Sequence, residues 1–254
     1  MPVPNHWTMK MEQFTAFSDR EKERLDEMIS DRREHHAVRD DIIADGAHSP
    51  DCHVILSGLA CRYKILPNGA RQIMAFLIPG DLCDAEIFIL KEMDHGVAAM
   101  TPTVTALVSA EKMKAMLRET GCLGEALWWG TMTDLGVLRE RIIDHGRRNA
   151  YERIAHLLYE MLVRYRMVEL TRDDSFDFPI TQTDLADATG LTPVHANRTL
   201  QKLRGDGLIE ASGKVIRVCD PPRLKAVAQF NGGYLHLDRA HAKSQVGQRA
   251  GDLV

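Results

Sequence analysis

The stretch TPVHANRTLQKLRGDGLIEASGKVIRV, residues 192–218, carries the side chains best suited to chemistry with another molecule. Thr192 can cap a helix, and Pro193 stands at its first position, where a missing N–H costs nothing. Wound at a helical period, Ala196, Leu200 and Leu203 fall on one face, within about 60° of one another. Val194, Arg198 and Gln201 gather on the opposite side, flanked by Asn197 and Lys202. Those residue types read base edges. Arginine pairs bidentately with guanine, asparagine and glutamine pair with adenine, and valine meets a thymine methyl. A face that is merely solvated would favour Glu and Lys.

Such a helix needs elements to present it, and they surround it. Thr181 and Asp184 form a T-x-x-D capping box that opens a preceding helix, whose small apolar face is Leu185, Ala186 and Ala188. Gly190 supplies a sharp turn, and Ala186 and Ala196 let two helices cross closely. After the second helix, GLIE and KVIRV flank Ser212-Gly213, which predicts a short β-hairpin. The pattern is a helix-turn-helix with a wing. The acids Asp184 and Asp187 lie in the first helix, whereas 198–217 holds five basic residues against two acidic ones. The candidate DNA contacts are Thr181, Thr183, Thr192, Val194, His195, Asn197, Arg198, Gln201, Lys202 and Lys214.

Other chemistries find little support. The five cysteines, Cys52, Cys61, Cys83, Cys122 and Cys219, are odd in number, irregularly spaced and without a C-x-x-C pair, which predicts reduced thiols. His35, His36, His48, His53 and His95 match no metal or haem spacing, so no metal site is expected. No two-His-plus-carboxylate motif, nucleophile elbow or phosphate loop is present, so no catalytic residue is assigned.

Upstream, the texture is mixed. Residues 11–38 read as one or two short helices, with Ser18 and Glu21 as a capping box and Leu25, Met28 and Ile29 on one face. Apolar runs at 41–44, 53–56, 60–66, 72–78 and 103–109 alternate with Asp45-Gly46, Ser57-Gly58, Pro67-Asn68-Gly69 and Pro79-Gly80-Asp81, which predicts an all-β roll. A short helix follows at 111–119, then a long one at 125–145. In the long helix Trp128, Met132, Leu135, Arg139, Ile142 and Gly146 step by 4-3-4-3-4, the seam of a coiled coil. Arg139 interrupts it, and Leu138 beside it completes a stripe with Leu135 and Ile142. The expected dimerisation residues are therefore Trp128, Met132, Leu135, Leu138 and Ile142. A further amphipathic helix covers 149–165, a polar loop 169–179, and a polar, aperiodic tail 239–254 is expected to be disordered.

The domains expected are a β-roll with N-terminal helices (1–120), a dimerisation helix (121–146) and a winged helix-turn-helix (147–238), giving an α+β chain. A length of 254 residues accommodates this. Residues 1–120 hold 14 basic against 19 acidic side chains, a net of -5, while 121–254 hold 18 against 17, a net of +1. That asymmetry suits a polyanion at the back of the chain. No apolar run reaches the ~18 residues of a membrane span. No secretory signal is readable in MPVPNHWTMKMEQF, so a cytoplasmic location is expected.

The β-roll with I-P-G-D at 78–81, the long helix and ITQTDLADATGLT…NRTLQKLR…GLI…SGKVI together resemble the Crp–Fnr superfamily of bacterial transcription regulators, over about residues 15–220. Residues 222–237 are similar to the C-terminal tail of one branch of that family. The resemblance implies a jelly-roll-type β-roll, a homodimer held by the long helix, a near-palindromic operator and RNA polymerase as a partner. Three departures stand out. Ala85 occupies the position where nucleotide-binding members carry the glutamate that meets ribose, and 95–99 (His-Gly-Val-Ala-Ala) lacks the phosphate-holding arginine. Cyclic-nucleotide control is therefore not expected, and the signal is either absent or of another kind. The N-terminus lacks the cysteine cluster of the family's iron–sulfur sensor. Val194 stands where many members use glutamate to contact cytosine, while Arg198 matches their guanine-reading arginine. Two alternatives remain: a cupin-like, small-molecule-binding barrel enzyme with an accessory helical domain, and an architectural DNA-binding protein without sequence preference.

Overall fold

The computed structural model describes residues 5–84, 92–119 and 121–237; Ala85, Glu86 and the 239–254 tail lie outside them. The chain opens with α1 (His6–Glu12) and α2 (Asp19–Ser30). Asn5 caps α1 by accepting from the amides of Trp7 and Thr8, and Ser18 and Glu21 cap α2 reciprocally. Trp7, Met11, Leu25, Met28 and Ile29 bury against Cys52, Val54 and Val108 of the roll behind them.

The roll consists of β1 (Arg33–His36), β2 (Asp41–Ile43), β3 (Asp51–Ser57), β4 (Ala60–Ile65), β5 (Arg71–Leu77), β6 (Gly96–Ala99) and β7 (Thr103–Ser109). They form two antiparallel sheets, ordered β1-β7-β3 and β2-β6-β4-β5. Ile42, Ile43, Leu77 and Val97 of the second sheet pack with Ile55 of the first. The β4–β5 hairpin turns at Asn68-Gly69, where Gly69 has φ +83° and Asn68 accepts from the Ala70 amide at 3.0 Å.

Three strands correct the sequence reading. Residues 33–36 belong to a strand, not to the N-terminal helices, because Arg33 through His36 pair along the edge of β7. All four are polar and at least partly exposed, so no apolar alternation marks them. The strand β6 sits between β2 and β4 although it consists only of Gly, Val and Ala. Gly96 lets the Tyr63 ring lie close, since a Cβ there would meet the ring at 2.6 Å. In the expected polar loop at 169–179, β8 (Ser175–Asp177) adds a third strand to the wing and buries Phe176.

Beyond the roll run α3 (Ala110–Glu119), α4 (Gly121–Gly146) and α5 (Ala150–Met167). They are followed, after β8, by α6 (Gln182–Thr189), α7 (Pro193–Gly205), β9 (Ile209–Ser212), β10 (Val215–Val218) and α8 (Pro221–Val227). A final 3-10 turn, Gly232–Leu235, folds back on α4, where Gly136 leaves room for the backbone of Tyr234.

The two halves share one core. Leu59, Cys61, Ile73 and Phe76 of the roll are continuous with Leu157, Phe178, Leu185 and Ala196 of the helical half. The Phe76 and Phe178 rings meet edge-on at 5.0 Å. Arg71 at the start of β5 donates to Asp187 at 2.8 Å and pairs with Asp184, both on α6. Gln72 donates to the Asp187 carbonyl at 2.7 Å.

A buried charge cluster joins α4 to α5. Arg141 donates to Asp144 at 2.9 Å and Glu160 at 2.6 Å, and Arg148 donates to Asp144 at 2.8 Å. Burial opposes ionisation of Asp144, but His156, Arg141 and Arg148 outweigh it and hold the carboxyl down at about 2.

Candidate nucleic-acid interface

The helix pair is built from local signals that the sequence displays. Thr181 Oγ1 accepts from the Asp184 amide at 3.1 Å, and the Asp184 carboxylate accepts from the Thr181 amide at 2.9 Å. At Gly190 the chain turns left-handed with φ +63°. A Cβ there would also meet the His145 ring at 2.9 Å, so the turn lies against the end of α4. Thr192 then caps α7 by accepting from the His195 amide at 3.3 Å.

On α7 the residues Ala196, Thr199 and Leu203 are buried and Leu200 is half-buried. The opposite face is open. Val194 is 70% exposed, and His195, Arg198, Gln201 and Lys202 are exposed around a half-buried Asn197. Among the described residues, the exposed Arg198 side chain has no hydrogen-bond or ion-pair partner. Thr181 and Thr183 are exposed at the start of α6, and Lys214 is exposed at the tip of the wing beside Gly213. The ten side chains named from sequence thus occupy α6, α7 and the wing, with Val194 and Arg198 one turn apart on one face.

Two positioning residues carry no sequence signal. Tyr151, on α5, lies under the Lys202 ammonium, 4.9 Å from ring centroid to nitrogen, and donates to Asp206 at 2.5 Å. Arg71 holds α6 from the roll. Each sits far along the chain from the residue it serves, so no local pattern marks it.

The long helix leaves a second uncovered surface. Trp128, Leu135, Leu138 and Ile142 are exposed, Ile142 by 73%, and Met132 is half-buried. Ile143, absent from the predicted stripe, is exposed as well. The other side of α4 buries Leu123, Ala126 and Val137.

Between β4, β5 and α4 lies a cavity of about 360 Å³ lined by Arg62, Lys64, Phe76, His95, Asp134, Leu138 and Arg164. Its arginines are engaged. Arg62 donates to Asp134 at 2.8 Å and to the Leu82 carbonyl at 2.9 Å, and Arg164 donates to Asp81 at 2.7 Å. The adjacent β6 strand offers no cation. Among the described residues, then, the cations lining this cavity are already paired, and a cyclic phosphate would compete with those carboxylates.

Elsewhere, Cys52, Cys61 and Cys83 are buried, Cys122 is half-buried and Cys219 is exposed. Burial pushes the Cys61 thiol up to about 12. His53 pairs with Asp84 at 2.8 Å, His36 meets Thr105 at 3.0 Å and His95 meets Asp94 at 2.6 Å. Among the described residues no three His, Cys, Asp or Glu side chains converge as metal ligands.

Comparison with known proteins covers both halves. Residues 34–120 match the model of the cyclic nucleotide-binding domain, and residues 152–227 match that of the Crp-like helix-turn-helix domain. The chain is 28% identical over 163 residues to the transcriptional activator protein FnrL of Cereibacter sphaeroides, a match spanning 63% of this chain and 65% of that protein. It is 28% identical over 202 residues to the nitrogen fixation regulation protein FixK of Bradyrhizobium diazoefficiens, across 78% of this chain and 82% of that one. The solved structure of FixK2 from Bradyrhizobium japonicum superposes with a TM-score of 0.69 at 25% identity, covering 77% of this chain and 96% of that chain. These relatives are regulators, not enzymes, and the barrel-enzyme alternative falls with them. With one family model on the roll, another on the helix-turn-helix and a matching fold across 77% of the chain, the chain belongs to the Crp–Fnr superfamily of DNA-binding transcription regulators.

Proposed function

We propose that the protein acts as a homodimer that binds a near-palindromic operator and controls transcription there through contact with RNA polymerase. The observation that carries this reading is the open, capped α7 face beside a wing, with Arg198 uncommitted to any described residue. The exposed stripe Trp128, Leu135, Leu138 and Ile142 supports a dimer, since a second copy would cover it. DNA contacts are assigned to Thr181, Thr183, Thr192, Val194, His195, Asn197, Arg198, Gln201, Lys202 and Lys214. The protein works without a cofactor, and its signal, if it takes one, is not a cyclic nucleotide. A cytoplasmic location accords with this, and among the described residues no helix is long and apolar enough to cross a membrane.

Electrophoretic shifts against a sequence selected from a random pool and against scrambled DNA, over a salt series, test the reading. A preference for the selected sequence that persists as salt rises is expected. Equal affinity for both would instead favour the architectural alternative. Calorimetry with cyclic AMP should show no binding that strengthens DNA affinity.

A further inference from the structure

The most exposed apolar side chain in the helix-turn-helix is not where solvation would place it. Val194 is 70% exposed at the second position of α7, in the middle of the polar outward face. Among the described residues nothing covers it. Its backbone is fixed by the Thr192 cap and by Pro193. A β-branched side chain in a helix is held near one rotamer, so its two methyls point outward in a defined direction. It can neither donate nor accept a hydrogen bond. Among groups in a DNA major groove, the partner of matching chemistry is the thymine C5-methyl, the one apolar group on a base edge there.

The spacing fixes where that methyl lies. Val194 and Arg198 are four residues apart, about 6 Å along the helix axis. Successive base pairs rise about 3.4 Å, so the two side chains meet positions one or two base pairs apart. We infer that Val194 selects a thymine by its methyl group, one or two base pairs from the guanine contacted by Arg198, in each half of the operator. This rests on the reading of α7 as the recognition helix. It adds that specificity at this position is steric and apolar, with no hydrogen bond read.

Deoxyuridine pairs as thymidine does and lacks only the methyl, which makes the claim directly testable. Operator duplexes chosen by selection from a random pool are remade with each thymine replaced singly by deoxyuridine, and affinities are measured by fluorescence anisotropy at fixed salt. One thymine per half-site should prove sensitive, with a loss of about fourfold for one methyl returned to water and about fifteenfold when both half-sites are changed. It should lie within two base pairs of the guanine whose preference disappears in Arg198→Ala. Val194→Ser, an exposed substitution that leaves the α7 core untouched, should abolish the deoxyuridine penalty and keep the guanine preference. No sensitive thymine within two base pairs, or a penalty that survives Val194→Ser in full, overturns the inference while leaving operator binding intact. A pool from which no sequence is enriched overturns both it and the operator reading.

Discussion

The outer faces of α4 and α7 are both uncovered among the described residues, and they are opposites. On α4 the uncovered stripe is Trp128, Leu135, Leu138, Ile142 and Ile143, apolar except for the exposed Arg139 within it. On α7 they are His195, Arg198, Gln201 and Lys202 around a single valine. An apolar stripe gains by excluding water and is indifferent to the detail of what covers it, so long as the shape fits. A polar face gains nothing by burial unless each donor and acceptor finds its match. On the proposed reading the first surface would set assembly and the second selectivity, and mutations should separate the two.

The largest effect should come from the first face. Leu135→Asp combined with Ile142→Asp places charges in the seam at a cost of several kcal/mol. Sedimentation should report monomer, and operator affinity should fall about a hundredfold or more as the two half-sites uncouple. A dimer that survives these charges would remove α4 from the assembly. Arg198→Ala acts on the second face only. Specific affinity should drop about ten- to hundredfold, with the loss of preference at one guanine per half-site. Binding-site selection that returns the wild-type preference would make Arg198 a phosphate contact and reverse the orientation assigned to α7.

A third variant asks whether α6 needs its tie to the roll. Arg71→Ala leaves Asp184 and Asp187 without their cation and should lower stability by about 1–2 kcal/mol, read as a fall of several degrees in Tm. An unchanged Tm would show the pairing to be energetically silent. The smallest effects belong to Lys202→Ala and Lys214→Ala. Each should weaken all DNA sequences alike by a fewfold and reduce the slope of log affinity against log salt by about one. Loss confined to one sequence would move that lysine from phosphate to base.

What the sequence displayed and what it concealed divides along range. Ser18 with Glu21, Thr181 with Asp184, Gly190 and Pro193 act within one helical turn, and the helix starts and the turn they signal are present. The β4–β5 hairpin follows likewise from Asn68-Gly69. The strands β1, β6 and β8 were hidden, because polar, glycine-bearing or three-residue segments become strands only once a neighbour pairs with them. The outward face of α7 was readable from a period of 3.6. The hold of Arg71 on α6 was not, since 116 residues separate it from Asp187.

The continuous core beneath β5 and α6 has a consequence for modularity. Phe76 and Ile73 lie in the same apolar cluster as Phe178 and Leu185, so neither half closes over its own hydrophobic surface. A fragment beginning near residue 147 would bare that surface together with the carboxylates of Asp184 and Asp187. Chimeras that graft this helix-turn-helix onto another sensor domain would have to carry β4 and β5 with it, or supply an equivalent floor. In this fold the part that packs as a unit is the helix-turn-helix together with the hairpin it stands on.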